Sequence, residues 1–177
     1  MAYPAWATDL SWRLEVDTGL QAAAGIMNGF PSREAAMALG EDVVDLKVLT
    51  PLGILFGLGY GSESCFSEAL GHSGWMNRLR VAVGYHWGWW GQAADVVVEA
   101  IPSIGFGSRT ATKGSLFLES INGPAVGVEV KANIGFLVWG PLGFRVGTFF
   151  TLQNYPESSF EFAGAGIDAS VFARLAF

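Results

Sequence analysis

The feature that most constrains this chain is alternation. Again and again, over stretches of about ten residues, an apolar side chain is followed by an ionic one or by glycine, and no apolar run is long enough to make a membrane helix. Trp12, Leu14, Val16, Thr18, Leu20 and Ala22 alternate with Arg13, Glu15, Asp17, Gly19 and Gln21. A period of two belongs to a β-strand with two chemically different faces. Only 15% of the residues are charged and 51% are hydrophobic, so the chain is oilier than a soluble domain, where about a quarter are charged. Helical insertion requires roughly 18 or more consecutive apolar residues, and here charges, glycine or proline intervene sooner. The other backbone arrangement that leaves no hydrogen bond open to lipid is a closed barrel.

Seven further segments carry the same pattern. Val44, Leu46 and Val48 stand against Asp45 and Lys47; Thr50-Pro51-Leu52-Gly53 then turns the chain into Ile54, Phe56, Leu58 and Tyr60 against glycines 57, 59 and 61. Leu79 to Trp89 sets aliphatic and aromatic residues against Arg80, Ala82, Gly84, His86 and Gly88, and the next segment starts at Val96 and places Glu99 on the polar side. Pro102 cannot donate to a ladder, which predicts a bulge or local break there. Val126 to Val138 opposes Glu129, Lys131 and Asn133; Gly140-Pro141-Leu142-Gly143 leads into Phe144 to Leu152, opposing Arg145; and Ala163 to Phe177 ends the chain opposing Asp168 and Arg174. Connections alternate between long and short. The pattern predicts one domain over 1–177, an all-β, eight-stranded, antiparallel up-and-down transmembrane barrel with short periplasmic turns and four longer extracellular loops. Within the first of those loops, Ser32 to Leu39 reads as a short helix capped by Ser32.

Alternation does not by itself separate a lipid-facing barrel from a soluble lipocalin-like carrier, whose apolar face points inward. Charge does. The apolar face carries no charge, whereas the other carries Glu15, Asp17, Asp45, Glu99, Glu129 and Asp168 with Arg13, Lys47, Arg80, Lys131, Arg145 and Arg174. Together with His86 these form the expected lumen network, in which each charge must find a partner because an unpaired buried one costs several kcal/mol. Trp12, Tyr60, Trp87, Trp89, Phe144 and Phe177 form the expected lipid-facing aromatic girdle. By parity Trp139, Phe149 and Phe172 point inward and narrow the lumen.

The whole arrangement resembles the small eight-stranded outer-membrane barrels typified by the outer-membrane protein A transmembrane domain, and the ending Val171-x-Ala173-x-Leu175-x-Phe177 resembles their terminal-Phe assembly signal. The resemblance implies a bacterial outer-membrane location, lipid bilayer and lipopolysaccharide as surroundings, recognition of Phe177 by the assembly machinery, and a monomer. An exported protein of this kind is made with a signal peptide; the small-x-small triplet Ala5-Trp6-Ala7 has the look of a processing site, and no charged start followed by an apolar stretch precedes it.

Chemistry beyond the barrel is sparse. Ser62, Glu63, Ser64, Ser67, Glu68, His72 and Ser73 hold the raw materials of a lipid A-modifying enzyme, but their spacing matches no nucleophile, base and orienter arrangement. Cys65 excludes an intramolecular disulfide, and no metal site or cofactor is implied. The formal charge of −6 is assigned to the loops, through Glu34, Glu41, Asp42, Glu63, Glu68, Glu119, Glu157 and Glu161 against Arg33, Arg78, Arg109 and Lys113, and makes nucleic acid an unsuitable partner. The expectation is a plugged barrel with a structural or surface-interaction role through its loops. A lipid A deacylase or acyltransferase, a narrow ion pore and a lipocalin-like carrier stand as alternatives.

Overall fold

A computed structural model describes residues 11–29, 32–67, 71–89, 93–113, 116–154 and 161–177. Eight strands follow one another: β1 (Arg13–Gly29), β2 (Ser32–Leu49), β3 (Ile54–Ser67), β4 (His72–Trp89), β5 (Ala94–Lys113), β6 (Leu116–Trp139), β7 (Leu142–Asn154) and β8 (Glu161–Ala176). Each pairs antiparallel with its sequence neighbours, and β1 pairs with β8 to close the barrel.

The stagger of the barrel can be read from the pairs. Starting at Leu14 and stepping through Val48, Phe56, Val83, Ala100, Val130, Phe150 and Ala165 returns to β1 at Ala24, ten residues further along. A shear of that size inclines the strands by about 40° and leaves an interior that side chains alone can fill.

One end is built from tight turns. At Thr50 to Gly53 the Gly53 amide donates to the Thr50 carbonyl at 3.0 Å, and Gly53 takes a φ of 84°. Pro51 presets the second turn position, and Gly53 supplies the left-handed conformation. A Cβ there would lie 2.7 Å from the His86 carbonyl oxygen, so glycine also lets the turn press against β4. At the other end the long excursions expected between strands are for the most part strand themselves. Ser32 to Leu39, expected to be helical, is the first half of β2, and Ala24 to Gly29 pairs with Met37 to Ser32 as a tight hairpin. Helical periodicity in an alanine-rich segment is a weak signal beside the ladder offered by β1, whose own alternation has not ended.

Pro102 produces no bulge. Pairs on either side of it, Arg80 with Ser103 and Val83 with Ala100, keep one register, and Pro102 itself stands opposite Val128 on β6. The ladder toward β4 is interrupted locally, where the missing N–H would have donated. Parity therefore continues, and Ile104 and Phe106 face outward at 61% and 56% exposure. Bulges fall elsewhere, between Asp42 and Val44 and between Leu137 and Trp139. The second turns Trp139 outward to 80% exposure, contrary to the inward position that strict alternation assigns it.

The two faces have opposite chemistry. Leu20, Leu58, Leu79, Ile104, Ile167 and Val171 stand exposed on the outer wall, while charged residues fill the interior. This is the reverse of a soluble carrier. Trp12, Tyr60, Trp87, Phe144 and Phe177 are all exposed on the outer wall. Four of these lie toward the tight-turn end, and Tyr60 sits six residues along β3 from its start. Of Trp89 the backbone alone is described, and Ala5-Trp6-Ala7 lies outside the described residues.

Candidate functional site

The interior is a stack of charges in two tiers, each charge delivered by an inward position of a strand. In the tier near the tight turns, Glu15 of β1 is fully buried and accepts from two guanidinium groups. Arg145 of β7 approaches it in a fork, with Nη2 at 2.8 Å, and Arg174 of β8 donates from Nε at 2.9 Å and Nη2 at 2.7 Å. Asp95 of β5 binds the same two arginines, with Arg145 Nη2 at 3.3 Å and Arg174 in direct contact, and lies 3.2 Å from His86 Nε2. Phe172 fills the space between, with the Arg145 and Arg174 guanidinium carbons 4.3 and 4.9 Å from its ring centre. Planar cations stacked on an aromatic face in a dry site gain a further attraction, on the order of 1–2 kcal/mol. Just above, Lys47 of β2 bridges Asp17 and Glu99, each at 2.8 Å.

The second tier centres on Asp42 and Glu129. Asp42 accepts from Lys131 Nζ at 2.7 Å and Gln21 Nε2 at 2.9 Å and contacts Arg80. Glu129 contacts Arg78 and lies 3.4 Å from Arg80 Nη2, and Glu63 is reached by Arg78 at 3.3 Å and by Gln153. Asp45 meets Arg80 at 3.4 Å, and Asp168 accepts from Asn133 at 3.0 Å. Arg13 is buried at the tight-turn mouth. Among the described residues the lumen thus holds nine carboxylates against seven lysines and arginines and His86.

Glycines make the crowding feasible. A Cβ on Gly59 would fall 1.6 Å from Asp45 Oδ1, one on Gly135 2.4 Å from Asp95 Oδ1, and one on Gly143 2.4 Å from Phe172 Cζ. Large inward side chains lie flat across bare backbone on the neighbouring strand, an arrangement that also protects the glycine ladder.

Above the second tier the lumen turns apolar. Met27, Ala36, Ala38, Cys65, Met76, Ala125 and Phe162 pack into one buried cluster with Ala23 and Phe149. Met27 and Phe162 have no exposed surface. A smaller apolar strip of Leu49, Leu55, Ala82, Val97 and Ile101 lines one side nearer the tight turns. Among the described residues the interior is thus occupied by paired charges in two tiers, with Phe172 and Phe149 between strands and an apolar cluster beyond them.

All the charged residues assigned to the interior from alternation, and His86, are buried there, and ion pairs and hydrogen bonds link them across the barrel. Four more charges join them: Asp42, Glu63, Arg78 and Asp95. Three of these were expected in loops and carry loop charge no longer. Asp42 is reoriented by the bulge at Val43, which turns both Val43 and Val44 outward. Glu63, Arg78 and Asp95 continue the parity of Gly59 and Gly61, of Arg80, and of Glu99, so a longer reading of each strand would have found them.

Ser62, Glu63, Ser64 and Ser67, considered for catalysis, belong to β3 rather than to a loop, and His72 and Ser73 to β4; His72 pairs with Ser67, Ser62 pairs with Asn77 five residues away along both strands, and Glu68 lies outside the described residues. Glu63 points into the lumen between Arg78 and Gln153.

No family model matches the chain, and no curated protein matches it. Among solved structures it is similar to Neisserial surface protein A, at 9% identity over 94% of this chain and 97% of that one, with a TM-score of 0.58. Weaker likenesses are to Ail, the attachment invasion locus protein of Yersinia pestis, at 10% identity, 91% and 98% coverage and a TM-score of 0.48, and to the N-terminal β-barrel domain of Pseudomonas aeruginosa OprF, at 10%, 89%, 97% and 0.45. At such identities the likeness is one of fold. The fold of this chain is that of the small eight-stranded outer-membrane β-barrels.

Proposed function

We propose that this chain resides in a bacterial outer membrane as a plugged barrel, with a structural or surface-interaction role carried by the hairpin ends opposite the tight turns. The observation that carries the reading is the network of paired charges inside the barrel with a buried apolar cluster beyond it. Two tiers of mutually paired charges lie beneath an apolar lid, so an ion entering from either mouth would have to break buried salt bridges and cross Met27, Met76 and Phe162. The outer wall supports the membrane setting, since each of the eight strands exposes large apolar side chains, with Glu41 on β2 and Glu161 on β8 as exposed charges among them. Lipid bilayer and lipopolysaccharide are then its immediate surroundings, Phe177 at the end of β8 serves the assembly machinery, and no catalytic step is assigned to it.

Two measurements test this. In detergent micelles the protein should run as a heat-modifiable band, and expressed cells should hold it in the outer-membrane fraction; folding as a soluble species without micelles would refute the membrane setting. In planar bilayers the folded protein should give no channel steps. Discrete ion-selective steps would refute the plug while leaving the membrane setting intact.

A further inference from the structure

One rung of the outer wall differs from its surroundings. Glu41 of β2 pairs with Ser62 of β3, and Ser62 with Asn77 of β4, so a carboxylate, a hydroxyl and a carboxamide lie side by side on three neighbouring strands. Each has the outward parity of its strand: Glu41 that of Leu39 and Met37, Ser62 that of Leu58 and Tyr60, Asn77 that of Leu79 and Trp75. The bulge in β2 decides which acid stands there, because it takes Asp42 into the lumen and leaves Glu41 on the wall. Apolar surface encloses the rung. Leu20 and Phe106 continue it at either end, Val44, Tyr60 and Leu79 form the outward rung on its tight-turn side, and Leu39 and Trp75 flank Ser64 in the one beyond. Among the described residues no hydrogen bond or ion pair engages the side chains of Glu41, Ser62 or Asn77. Across the barrel the outward residues at mid-strand are Val128, Val130, Phe150, Leu152 and Ile167, all apolar.

We infer that this rung is the centre of an interface between two copies of the chain lying side by side in the membrane, in place of the monomer that the family resemblance implies. The inference rests on the membrane setting of the outer wall. A carboxylate on a lipid-facing strand is destabilising unless a group at its own depth hydrogen-bonds to it, and hydrocarbon offers none. Leu39 and Met37 separate Glu41 from the headgroup region, so the donor that meets it within the wall comes from another protein wall. The rung is complementary to itself. A twofold axis along the membrane normal through Ser62 sets Glu41 of one copy opposite Asn77 of the partner subunit on both sides of the axis, with the two Ser62 hydroxyls between them. Each acceptor then has a donor in one isologous contact. With strands inclined by about 40°, Glu41 and the partner's Asn77 differ in height by about 6 Å, which a glutamate and an asparagine side chain reaching toward each other span. Exposed Tyr60, Phe66 and Trp75 supply apolar contact around the polar centre.

The test uses the full chain refolded into phosphatidylcholine vesicles over a range of lipid-to-protein ratios, checked for heat modifiability so that a failure of the membrane setting is seen separately. Ser62→Cys, or Ser64→Cys if the first does not fold, places a thiol at the axis, and Leu152→Cys places one on β7, four strands away across the barrel. The wild type, whose Cys65 is buried, serves as background. On oxidation the thiol on β3 should give disulfide-linked dimers in several-fold excess over the thiol on β7. In a second measurement, energy transfer between labelled copies diluted with lipid should give a dissociation constant that Glu41→Leu raises roughly tenfold, the loss of two hydrogen-bonded contacts of the strength found between transmembrane segments. The same change should not lower the urea midpoint of the dilute monomer, since it adds apolar surface to the wall. Equal linking of the two thiols, no energy transfer at any ratio, or a dissociation constant unmoved by Glu41→Leu would each overturn the inference.

Discussion

Glu15→Gln is the most direct probe of the lumen, because it keeps side-chain volume and removes one charge. Glu15 is fully buried and is the shared acceptor of Arg145 and Arg174, with contacts of 2.8, 2.9 and 2.7 Å. With Glu15 neutral, those two guanidinium groups are left with Asp95, and Arg145 with the more distant Asp17 at 3.7 Å. Both arginines are buried, with their guanidinium carbons against the Phe172 ring. Removing one partner of a buried pair leaves an uncompensated charge and costs about 3–5 kcal/mol. Urea unfolding in micelles, followed by tryptophan fluorescence, reads this as a lower midpoint at constant slope. The cycle with Arg174 separates charge from packing: Glu15→Leu and Arg174→Leu together should be less damaging than the two single changes summed, with a coupling of at least about 1.5 kcal/mol. An additive cycle, or a Glu15→Gln loss below about 0.5 kcal/mol, would mean that the lower tier is hydrated and its charges are screened rather than paired. The plugged reading of the lumen would then fail.

Three further outcomes are expected. Gly143→Ala should destabilise the barrel by about 1–3 kcal/mol through overpacking, since its Cβ would meet Phe172 Cζ at 2.4 Å and the Phe136 carbonyl oxygen at 2.5 Å, whereas Gly140→Ala, with nothing within 4 Å, should lose only the roughly 1 kcal/mol of its left-handed backbone; equal losses would remove the argument that glycines make room for interior side chains. Leu58→Arg on the outer wall, 67% exposed and paired with Leu46 and Val81, should cost about 2–4 kcal/mol in refolding experiments into lipid vesicles, and a neutral result would place that face in water. Deleting Phe177 should lower the amount of folded protein in the outer membrane of cells while leaving refolding into micelles within about 0.5 kcal/mol of wild type; a large loss in vitro would assign Phe177 to stability instead of assembly.

What the sequence revealed and what it hid have one physical cause. In a barrel wall one variable, the parity of a residue along its strand, decides both whether a side chain meets lipid or lumen and whether it sits among apolar or paired neighbours. Arg13, Glu15 and Asp17 could therefore be placed from Leu14 and Val16 alone, and Glu129 with Lys131 from Val128 and Val130. Where parity slips, the same reasoning misplaces residues. The bulge at Val43 turns Asp42 inward to become the acceptor of Lys131, Gln21 and Arg80, and the bulge before Trp139 turns that ring outward. The first bulge does leave a mark, since Asp42 and Asp45 flank the apolar pair Val43 and Val44 at a spacing that strict alternation cannot turn to one face.

The second blind spot is the end of each strand. Glu63, Arg78 and Asp95 obey the alternation but lie at the edges of its most regular stretches, Glu63 between two serines, Arg78 after Asn77 and Asp95 after Gly91-Gln92-Ala93-Ala94, where the composition resembles a loop. Their recovery changes the electrostatics of the lumen. A balanced set of charges becomes one with nine carboxylates, held by a network in which Arg78, Arg80, Arg145 and Arg174 each serve more than one acceptor. Bidentate guanidinium groups are suited to this sharing, which a lysine's compact ammonium cannot reproduce with the same geometry. The apolar lid has the same origin. Met27, Met76 and Phe162 lie on strand extensions where the inward face changes from ionic to apolar while the outer face stays apolar, so no contrast remains for alternation to display. The buried apolar cluster thus lies in the part of the chain where periodicity says least, and the contrast that made the barrel legible fades toward the hairpin ends opposite the tight turns.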